Sequence, residues 1–368
     1  MKRMGITFRT GRRAWVILAV LVLPILSWAM PADAQRGPIY TGVERVVAVG
    51  DLHGAYERFL AILKGAGLID ADHHWTGGRT HLVQIGDILD RGPNARDIFN
   101  LIRSLEGEAA AAGGRVHMLI GNHEALVIMG MTFSYTGFVT VEQFLSFLPD
   151  RYRQRKEEEF RRRAGPDGDL RPFWEKLLGT DLEAQSVYYN FFRERYGRWI
   201  ADHDTAIKID DTVFVHGGFN EEYSRRPLEN LNRAVSMELL DFMMNRTASP
   251  KILFDPHGPL WYRENASSDE NLLSGEIDRV LANLKAKVLV VGHTATAGSL
   301  TGKMDRFGGR VWTIDTRIWD PFSGRLDWLN IENGKFERRG IDHEYDSQIR
   351  GGRGGRAAAH AGPGPAVR

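Results

Sequence analysis

Short apolar runs rich in valine and isoleucine alternate with helical segments in the first third of the chain. Residues 46–49 form one such run, followed by a glycine-containing polar turn and by residues 56–64, whose apolar side chains fall on one helical face. The runs 81–85 and 116–120 repeat this order of run, turn and helix. The repetition predicts an α/β sheet that carries functional loops at the carboxyl ends of its strands.

Residues from about 132 to 200 interrupt this alternation with a long helical pattern. A charged run lies at 151–163 and an aromatic-rich stretch at 173–192. The charged run predicts a solvated helix face with pairs of opposite charge four residues apart. Because the segment lies between two polar clusters, a lid that shapes the substrate site is the alternative interpretation.

The strand pattern returns after residue 205 and continues towards the C-terminus. The expected elements are six strands at 205–209, 213–215, 287–291, 309–314, 325–331 and 335–339, and two helices at 231–245 and 272–284. The sequence Glu332-Asn333-Gly334 predicts a tight hairpin between the last two strands.

Composition limits the chemistry that this chain can use. Of its 368 residues, 43% are hydrophobic and 26% are charged, which is enough to bury the core of one large domain or two small ones. The chain has no cysteine, so disulfides, cysteine–zinc sites and thiol nucleophiles are excluded. A metal site must therefore use histidine, aspartate and asparagine.

Residues 1–34 have the layout of a secretory signal peptide. Basic residues precede an apolar stretch from 14 to about 28, and Ala32-Asp33-Ala34 has the small-x-small pattern of a cleavage site. The apolar stretch is short for a membrane-spanning helix. We expect export to the periplasm or the medium by the Sec route or, given Arg12-Arg13, by the twin-arginine route. An uncleaved membrane anchor is the alternative.

The net charge of +1 is unevenly distributed along the chain. The leader carries +4 and the tail 351–368, rich in glycine, arginine, alanine and proline, carries +3, which leaves −6 on residues 35–350. An acidic body argues against binding nucleic acid by charge. The tail has little apolar surface to bury and is predicted to be disordered, so a catalytic domain is expected over 35–350.

Five short polar clusters stand at the ends of the apolar runs. They read Gly50-Asp51-Leu52-His53-Gly54, Gly86-Asp87-Ile88-Leu89-Asp90-Arg91-Gly92, Gly121-Asn122-His123-Glu124, His216-Gly217-Gly218 and Gly292-His293-Thr294. Together they supply oxygen and nitrogen donors suited to two adjacent divalent metal ions. Any one cluster is weak support, but five at strand ends indicate metal-assisted hydrolysis of a phosphate ester.

The donor residues suit different positions within such a centre. Asp51 and His53 are two residues apart, so in an extended segment both would point towards one metal. The Asp87 carboxylate can bridge two cations through its two oxygens. Neutral Asn122 adds an oxygen without further charge, and His216, like His293, stands at the end of a buried run.

Arg91 and His123 are candidates for the substrate side of the site. The planar guanidinium of Arg91 matches the paired oxygens of a phosphate, although a surface ion pair is the plain alternative. His123 would point away from its neighbour Asn122, which suits a proton donor rather than a metal ligand. Asp90 would raise the pKa of His123 and keep it protonated.

In its order and spacing, the motif series resembles the phosphoprotein phosphatase branch of the calcineurin-like metallophosphoesterases. The resemblance runs from about 45 to 331, and the segments 259–264 and 309–315 look most like the Shewanella-like bacterial protein phosphatases. It implies an α/β fold in which two mixed β-sheets form a sandwich flanked by helices. The Ser-Ala-Pro-Asn-Tyr segment of the eukaryotic Ser/Thr enzymes is absent from this sequence, so regulatory contacts tied to it are not expected.

The resemblance also implies a role for each matching residue. The implied set is Asp51, His53 and Asp87 on a first metal, Asp87, Asn122, His216 and His293 on a second, Arg91 and Arg263 on the phosphate, and His123 as general acid held by Asp90. The cofactors would be two divalent metal ions, manganese first, with iron, zinc or cobalt as alternatives.

The expected activity is hydrolysis of a phosphomonoester by direct attack of a hydroxide that bridges the two metals. The substrate would be a phosphoprotein, through phosphotyrosine or phosphoserine and phosphothreonine, or a small phosphomonoester. A nucleotide or dinucleoside polyphosphate hydrolase on the same dimetal core is the alternative. A secreted binding protein that keeps the fold without the chemistry is a lesser one.

Overall fold

A computed structural model describes residues 37–246 and 249–341 of this chain. The predicted leader, residues 1–34, and the predicted disordered tail, residues 351–368, lie outside the described residues. The strands are β1 Ile39–Tyr40, β2 Arg45–Val49, β3 His81–Gln84, β4 Arg115–Met118, β5 Ala206–Ile209, β6 Thr212–Val215, β7 Val288–Val291, β8 Asp305–Arg306, β9 Val311–Thr313, β10 Asp327–Glu332 and β11 Lys335–Gly340.

Helices occupy much of the described sequence between the strands. They are α1 Tyr56–Gly65, α2 Ala95–Ala111, α3 Asn122–Met129, α4 Val141–Ser146, α5 Asp150–Ala164, α6 Leu170–Thr180, α7 Leu182–Phe192, α8 Arg198–Ala201, α9 Glu221–Ser224, α10 Leu228–Met243, α11 Glu264–Ser267, α12 Glu270–Leu284 and α13 Ala297–Thr301. Among the residues described, no helix has the length and apolar character needed to cross a membrane.

The strands form two mixed sheets, as the family resemblance implied. One sheet has the order β11-β10-β2-β3-β4, and the other has the order β1-β5-β6-β7-β9-β8. Strands β2, β3 and β4 run parallel, as do β6, β7 and β9, while the remaining pairs are antiparallel except for β1 with β5. Parallel neighbours end at the same edge of a sheet, so the loops after these six strands meet at one end of the sandwich.

Continuous apolar runs arise because the central strands are buried on both faces. In β2, Val46 and Ala48 pack between the two sheets, and Val47 and Val49 pack against the layer that contains α1 and α2. Side chains alternate between faces along a strand, so a strand covered on both sides has no polar face to show. The second sheet is also covered on both faces. In β6, Phe214 packs in the core between the sheets, and the residues on either side of it pack against α10 and α12.

The helical insertion predicted at about 132–200 is present as α4 to α8. A 3₁₀ turn at Thr132–Ser134 and a π-helical turn at Arg193–Gly197 complete it. Its interior is aromatic, with Phe144, Phe147 and Tyr188 fully buried. The charged run forms α5, which is largely exposed and carries an Arg163–Glu159 pair at 3.0 Å, as expected for a solvated face. The part of the insertion before α5 lies beside the polar clusters.

Six short elements within the described residues were not predicted from the sequence. They are β1, β8, α9, α11, α13 and a 3₁₀ turn at Phe307–Gly309, each two to five residues long. Such segments are too short to show a periodic pattern, and their neighbours in the fold decide their conformation. The longer predicted strands and helices are all present, with ends that differ by a few residues.

Candidate metal and phosphate site

Asp87 lies at the middle of the strand-end loops, directly after β3. Its Oδ1 lies 3.3 Å from His216 Nε2, and its Oδ2 lies 3.7 Å from Nε2 of both His53 and His123. The two oxygens therefore face different histidines. The donor atoms of His53, Asp87 and His123 all lie within 4.8 Å of one another, and so do those of Asp87, His216 and His293.

The second of these groups includes an imidazole nitrogen without a hydrogen-bond partner. His293 Nε2 is buried and has none among the described residues, although buried polar atoms are nearly always paired. Asn122 Oδ1 lies 2.9 Å from His216 Nε2, and Ile85 O lies 3.0 Å from His216 Nδ1. Buried histidine nitrogens around a carboxylate and an amide oxygen fit a divalent cation.

Asp51 and His53 do not form the extended segment that the sequence predicted. His53 has a φ of 43°, so the chain turns there, and its side chain joins Asp87 and His123. Asp51 instead accepts the N–H of His293 at 3.0 and 3.1 Å. The loop after this turn packs closely against its neighbour, so that a Cβ on Gly54 would lie 2.6 Å from the backbone of Gly92 and only glycine fits there.

The structure brings His53 and Asp87 together, with His123 beside them. The assignment of the first metal to Asp51, His53 and Asp87 stays a prediction. A further carboxylate, Asp315, lies buried near Asp51, since a Cβ on Gly50 would be 3.1 Å from its Cα. Burial and the charge of Asp315 raise the pKa of Asp51 well above its usual value, so these acids need a nearby positive charge to stay ionised together.

His123 and Asp90 form a buried pair, as predicted. His123 Nδ1 lies 2.6 Å from Asp90 Oδ2. Burial opposes protonation of the imidazole, but the carboxylates of Asp87 and Asp90 outweigh it and raise the pKa of His123 above its usual value. Burial, together with the charges of nearby residues, holds the pKa of His53 and of His293 well below the usual value, so these two imidazoles are neutral.

Two arginines stand at the exposed rim of this otherwise buried group. Arg91 donates through Nε to His53 Nε2 at 3.2 Å, and its guanidinium carbon lies 5.3 Å from the ring centre of Phe138 and 5.0 Å from that of Trp319. Arg263 donates through Nη1 to His293 O at 3.0 Å and to a threonine hydroxyl. Both guanidiniums keep donors free for an anion.

Known proteins that are similar to this chain agree with the geometry of the site. Residues 44–297 match the family model described as calcineurin-like phosphoesterase. The chain belongs to the calcineurin-like phosphoesterase family. A protein of Schizosaccharomyces pombe is 30% identical over 78% of this chain and 76% of its own length. Shewanella-like protein phosphatase 2 of Arabidopsis thaliana is 29% identical over 70% of this chain and 68% of its own length.

Solved structures extend the comparison to the fold. A cold-active protein-tyrosine phosphatase of a psychrophilic Shewanella is similar, with a TM-score of 0.58 and 27% identity over 83% of this chain and 82% of that chain. The family match, the relatives named as phosphatases and the histidine–aspartate groups together identify this calcineurin-like phosphoesterase as a metal-dependent phosphatase. It uses divalent metal ions and acts on phosphorylated substrates.

The backbone of this phosphoesterase is strained at the site. Left-handed conformations are rare for residues other than glycine. The residues of the motifs that adopt one are His53 (φ 43°), Asp87 (φ 56°), Asp90 (φ 71°), Arg91 (φ 64°) and His293 (φ 61°). Such conformations persist only where many surrounding contacts fix them.

Glu124 is one of the residues whose role the sequence analysis missed. Its buried carboxylate accepts the backbone N–H groups of Asp87 at 2.9 Å and Gly121 at 3.0 Å through Oε2, and those of Ile88 at 2.9 Å and Leu89 at 3.2 Å through Oε1. One side chain thereby joins the loop after β3 to the loop after β4. The motif Gly-Asn-His-Glu contains this residue, but backbone partners cannot be read from a sequence.

Gln143 and Thr132, from the insertion, were also missed. Both are fully buried, and both donate to the carboxylate of Asp90. Thr132 lies 42 residues after Asp90 and Gln143 lies 53 residues after it, and neither belongs to a motif. The aromatic rings beside Arg91 were missed for the same reason, because Phe138 and Trp319 lie far apart in the sequence and meet only through the fold.

Proposed function

We propose that this chain is a two-metal phosphomonoesterase whose preferred substrate is phosphotyrosine in proteins. Its first metal would be held by Asp51, His53 and Asp87, and its second by Asp87, Asn122, His216 and His293. The observation that carries the proposal is the position of Asp87, whose Oδ1 faces His216 and whose Oδ2 faces His53 and His123. The unpartnered His293 Nε2 and the neutral imidazoles of His53 and His293 support it.

Bound metal ions would supply Lewis acidity towards the phosphoryl oxygens and lower the pKa of a bound water. The donor set mixes oxygen and nitrogen, which suits manganese, iron, zinc or cobalt, and we propose manganese as the resident ion. Metal analysis of the purified protein tests the identity. A preparation that contains only zinc and is not activated by manganese would contradict the assignment.

The residues at the rim would bind and orient the phosphate. Arg91 and Arg263 stand on the exposed side, where their guanidiniums can pair with the non-bridging oxygens of a dianion. His123, protonated because Asp87 and Asp90 raise its pKa, would donate its proton to the leaving oxygen. Asp90 holds the imidazole through Nδ1, which leaves Nε2 directed towards the centre of the site.

The preference for phosphotyrosine rests on the aromatic side chains around Arg91. Phe138 and Trp319 flank its guanidinium, and Tyr135 stacks on Phe138 with ring centres 4.9 Å apart. A phenyl ring attached to a phosphate held by Arg91 would lie beside these rings and gain contact with them. A phosphoserine side chain has no ring to do so. The similar solved structure carries the name protein-tyrosine phosphatase, which agrees with this preference.

The test compares phosphotyrosine, phosphoserine and phosphothreonine in one peptide sequence, with manganese and with EDTA. We expect metal-dependent turnover that favours phosphotyrosine and is abolished by Asp87→Asn. Trp319→Ala should reduce the preference for phosphotyrosine, whereas Trp75→Ala, a tryptophan in the loop between α1 and β3, should keep it. Equal turnover of all three peptides would contradict the tyrosine preference.

Other outcomes of this experiment would change the function itself. Turnover of a dinucleoside polyphosphate in place of every phosphopeptide would make the chain a nucleotide hydrolase. No turnover with any metal would support a binding protein instead.

Export from the cytoplasm is a separate proposal, supported by the leader sequence in residues 1–34 alone. Cell fractionation combined with N-terminal sequencing tests it. A mature protein that begins at Gln35 in the periplasm or medium is the expected result, and an intact leader in the membrane fraction would favour an anchor.

A further inference from the structure

The proton-donor pair of the phosphatase is held by residues of the helical insertion. Asp90 is fully buried, and its Oδ2 accepts from His123 Nδ1 at 2.6 Å and from Thr132 Oγ1 at 3.0 Å. Its Oδ1 accepts from Gln143 Nε2 at 2.9 Å. Among the described residues, two of the three donors to this carboxylate therefore come from the helical insertion at about 132–200, and one comes from the motif histidine.

Gln143 holds the main chain of Asp90 as well as its side chain. Its Oε1 accepts the N–H of Asp90 at 2.7 Å, and its Nε2 also lies 3.0 Å from the hydroxyl oxygen of Tyr188. The position of Gln143 is itself fixed, because it occupies the first turn of α4 and its N–H is capped by Thr140 Oγ1 at 3.1 Å.

An amide side chain is suited to this place because it accepts and donates at once. The N–H of Asp90 requires an acceptor and the carboxylate requires a donor, and both stand beside the same side chain. A glutamate would set a second carboxylate against Asp90, and an apolar side chain would leave a buried N–H without a partner. The contact also fixes Asp90 in its left-handed conformation, φ 71°.

We propose that Gln143 is a positioning residue for the proton donor His123, and that the insertion is through it part of the catalytic apparatus. The inference rests on the proposed role of His123. The carboxylate of Asp90 fixes the ring orientation of His123, so a change in its position moves the donating nitrogen. Misplacement of a reacting group by about 1 Å can cost on the order of a hundredfold in rate.

Leaving-group dependence separates positioning from a merely structural role. Phenyl phosphate has a poor leaving group that needs protonation, and 4-nitrophenyl phosphate has a good one that needs little. A general acid contributes about 10²- to 10⁴-fold, so His123→Asn should lower kcat for phenyl phosphate far more than for 4-nitrophenyl phosphate. Gln143→Met should shift the ratio of the two kcat values in the same direction, by about tenfold, if it misaligns the acid without removing it.

The experiment uses the full chain loaded with manganese. Gln185→Met is the matched control, because Gln185 lies in α7 of the same insertion and its side chain donates to Leu178 O instead of to Asp90. Metal content and melting temperature are measured for each variant, so that loss of metal or of folded protein is recorded separately from the kcat ratio. The control should leave the ratio unchanged.

A double variant decides whether Gln143 acts through His123. In His123→Asn the acid is gone, so adding Gln143→Met should leave the kcat ratio as it is in His123→Asn. Equal losses on both substrates in Gln143→Met, or a further shift in the double variant, would overturn the inference. If Gln143→Met does not fold, Thr132→Val removes one donor to Asp90 at nearly constant volume and should shift the ratio in the same direction.

Failure of the proton-donor role of His123 can be distinguished from failure of the positioning role of Gln143. If His123→Asn lowers kcat equally for both substrates, the acid role is wrong and the positioning role falls with it. If His123→Asn shifts the ratio but neither insertion variant does, the acid role stands and the insertion is not part of the catalytic apparatus.

Discussion

Replacing Glu124 by glutamine tests the contact that joins two of the site loops. Four backbone N–H groups donate to the carboxylate, two to each oxygen. The amide of glutamine has the same shape but offers one oxygen and one NH₂ group. In either orientation of the amide, its NH₂ group faces two of the buried backbone N–H groups, which then have no acceptor.

The magnitude follows from counting those two groups. A buried donor left without an acceptor costs about 1–3 kcal/mol, so Glu124→Gln should reduce the free energy of unfolding by about 2–6 kcal/mol. A domain is stable by only about 5–15 kcal/mol, so this is a large fraction of the total. Because the loop after β3 positions Asp87, metal affinity and turnover should fall as well.

Urea unfolding followed by tryptophan fluorescence measures the change. EDTA is present throughout, so that the difference reports the chain and not the loss of bound metal. Glu158→Gln is the matched control, because Glu158 is exposed on α5 and surface substitutions usually change stability by less than about 0.5 kcal/mol. A loss below about 1 kcal/mol in Glu124→Gln, or a loss equal to the control, would refute the reasoning.

Three further predictions concern metal and pH. Asp87→Asn should bind fewer than half the metal equivalents of the unmodified chain by elemental analysis, since both donor groups share Asp87; unchanged stoichiometry would contradict the shared position. Chelation with EDTA should lower the melting temperature, and added manganese should restore it in proportion to the logarithm of its concentration. Burial raises the pKa of Asp204 to about 6. Between about pH 4 and 6 the Asp204 carboxyl is therefore protonated in the folded state and ionised in the unfolded chain, so the free energy of unfolding falls as pH rises through that window. Asp204→Asn should flatten this dependence in pH-resolved melting, and a slope unchanged by the substitution would count against it.

The parts of the fold that could be predicted are those with a repeated pattern. Strands such as β2 and β7 read as continuous apolar runs because both of their faces are buried. The polar clusters stand at their carboxyl ends, so the sequence alone indicated which residues meet. Asp87, His216 and His293 do meet, and their spacing of 129 and 77 residues is bridged by the two sheets.

The remaining features depend on contacts that leave no local pattern. The orientation of Asp51 could not be derived from the spacing to His53, because the chain turns at His53 instead of staying extended. Nor could the contacts of Gln143, since a single glutamine in a helical segment has no signature until the helix is packed. Short elements such as β8 take their form from the strand that they pair with.

The left-handed residues of the site have a consequence for directed evolution of this enzyme. Glycine would relieve each of these conformations by about 1 kcal/mol, and asparagine is tolerated there more readily than most residues. At position 90 glycine would leave three buried donors without their carboxylate, so this gain is expected only at position 91, whose side chain is exposed. A library selected for heat resistance alone would therefore enrich glycine at position 91, and those clones would lose one of the two arginines proposed to bind the phosphate. Engineers who want both properties should hold these positions constant and draw stabilising changes from surfaces such as α5.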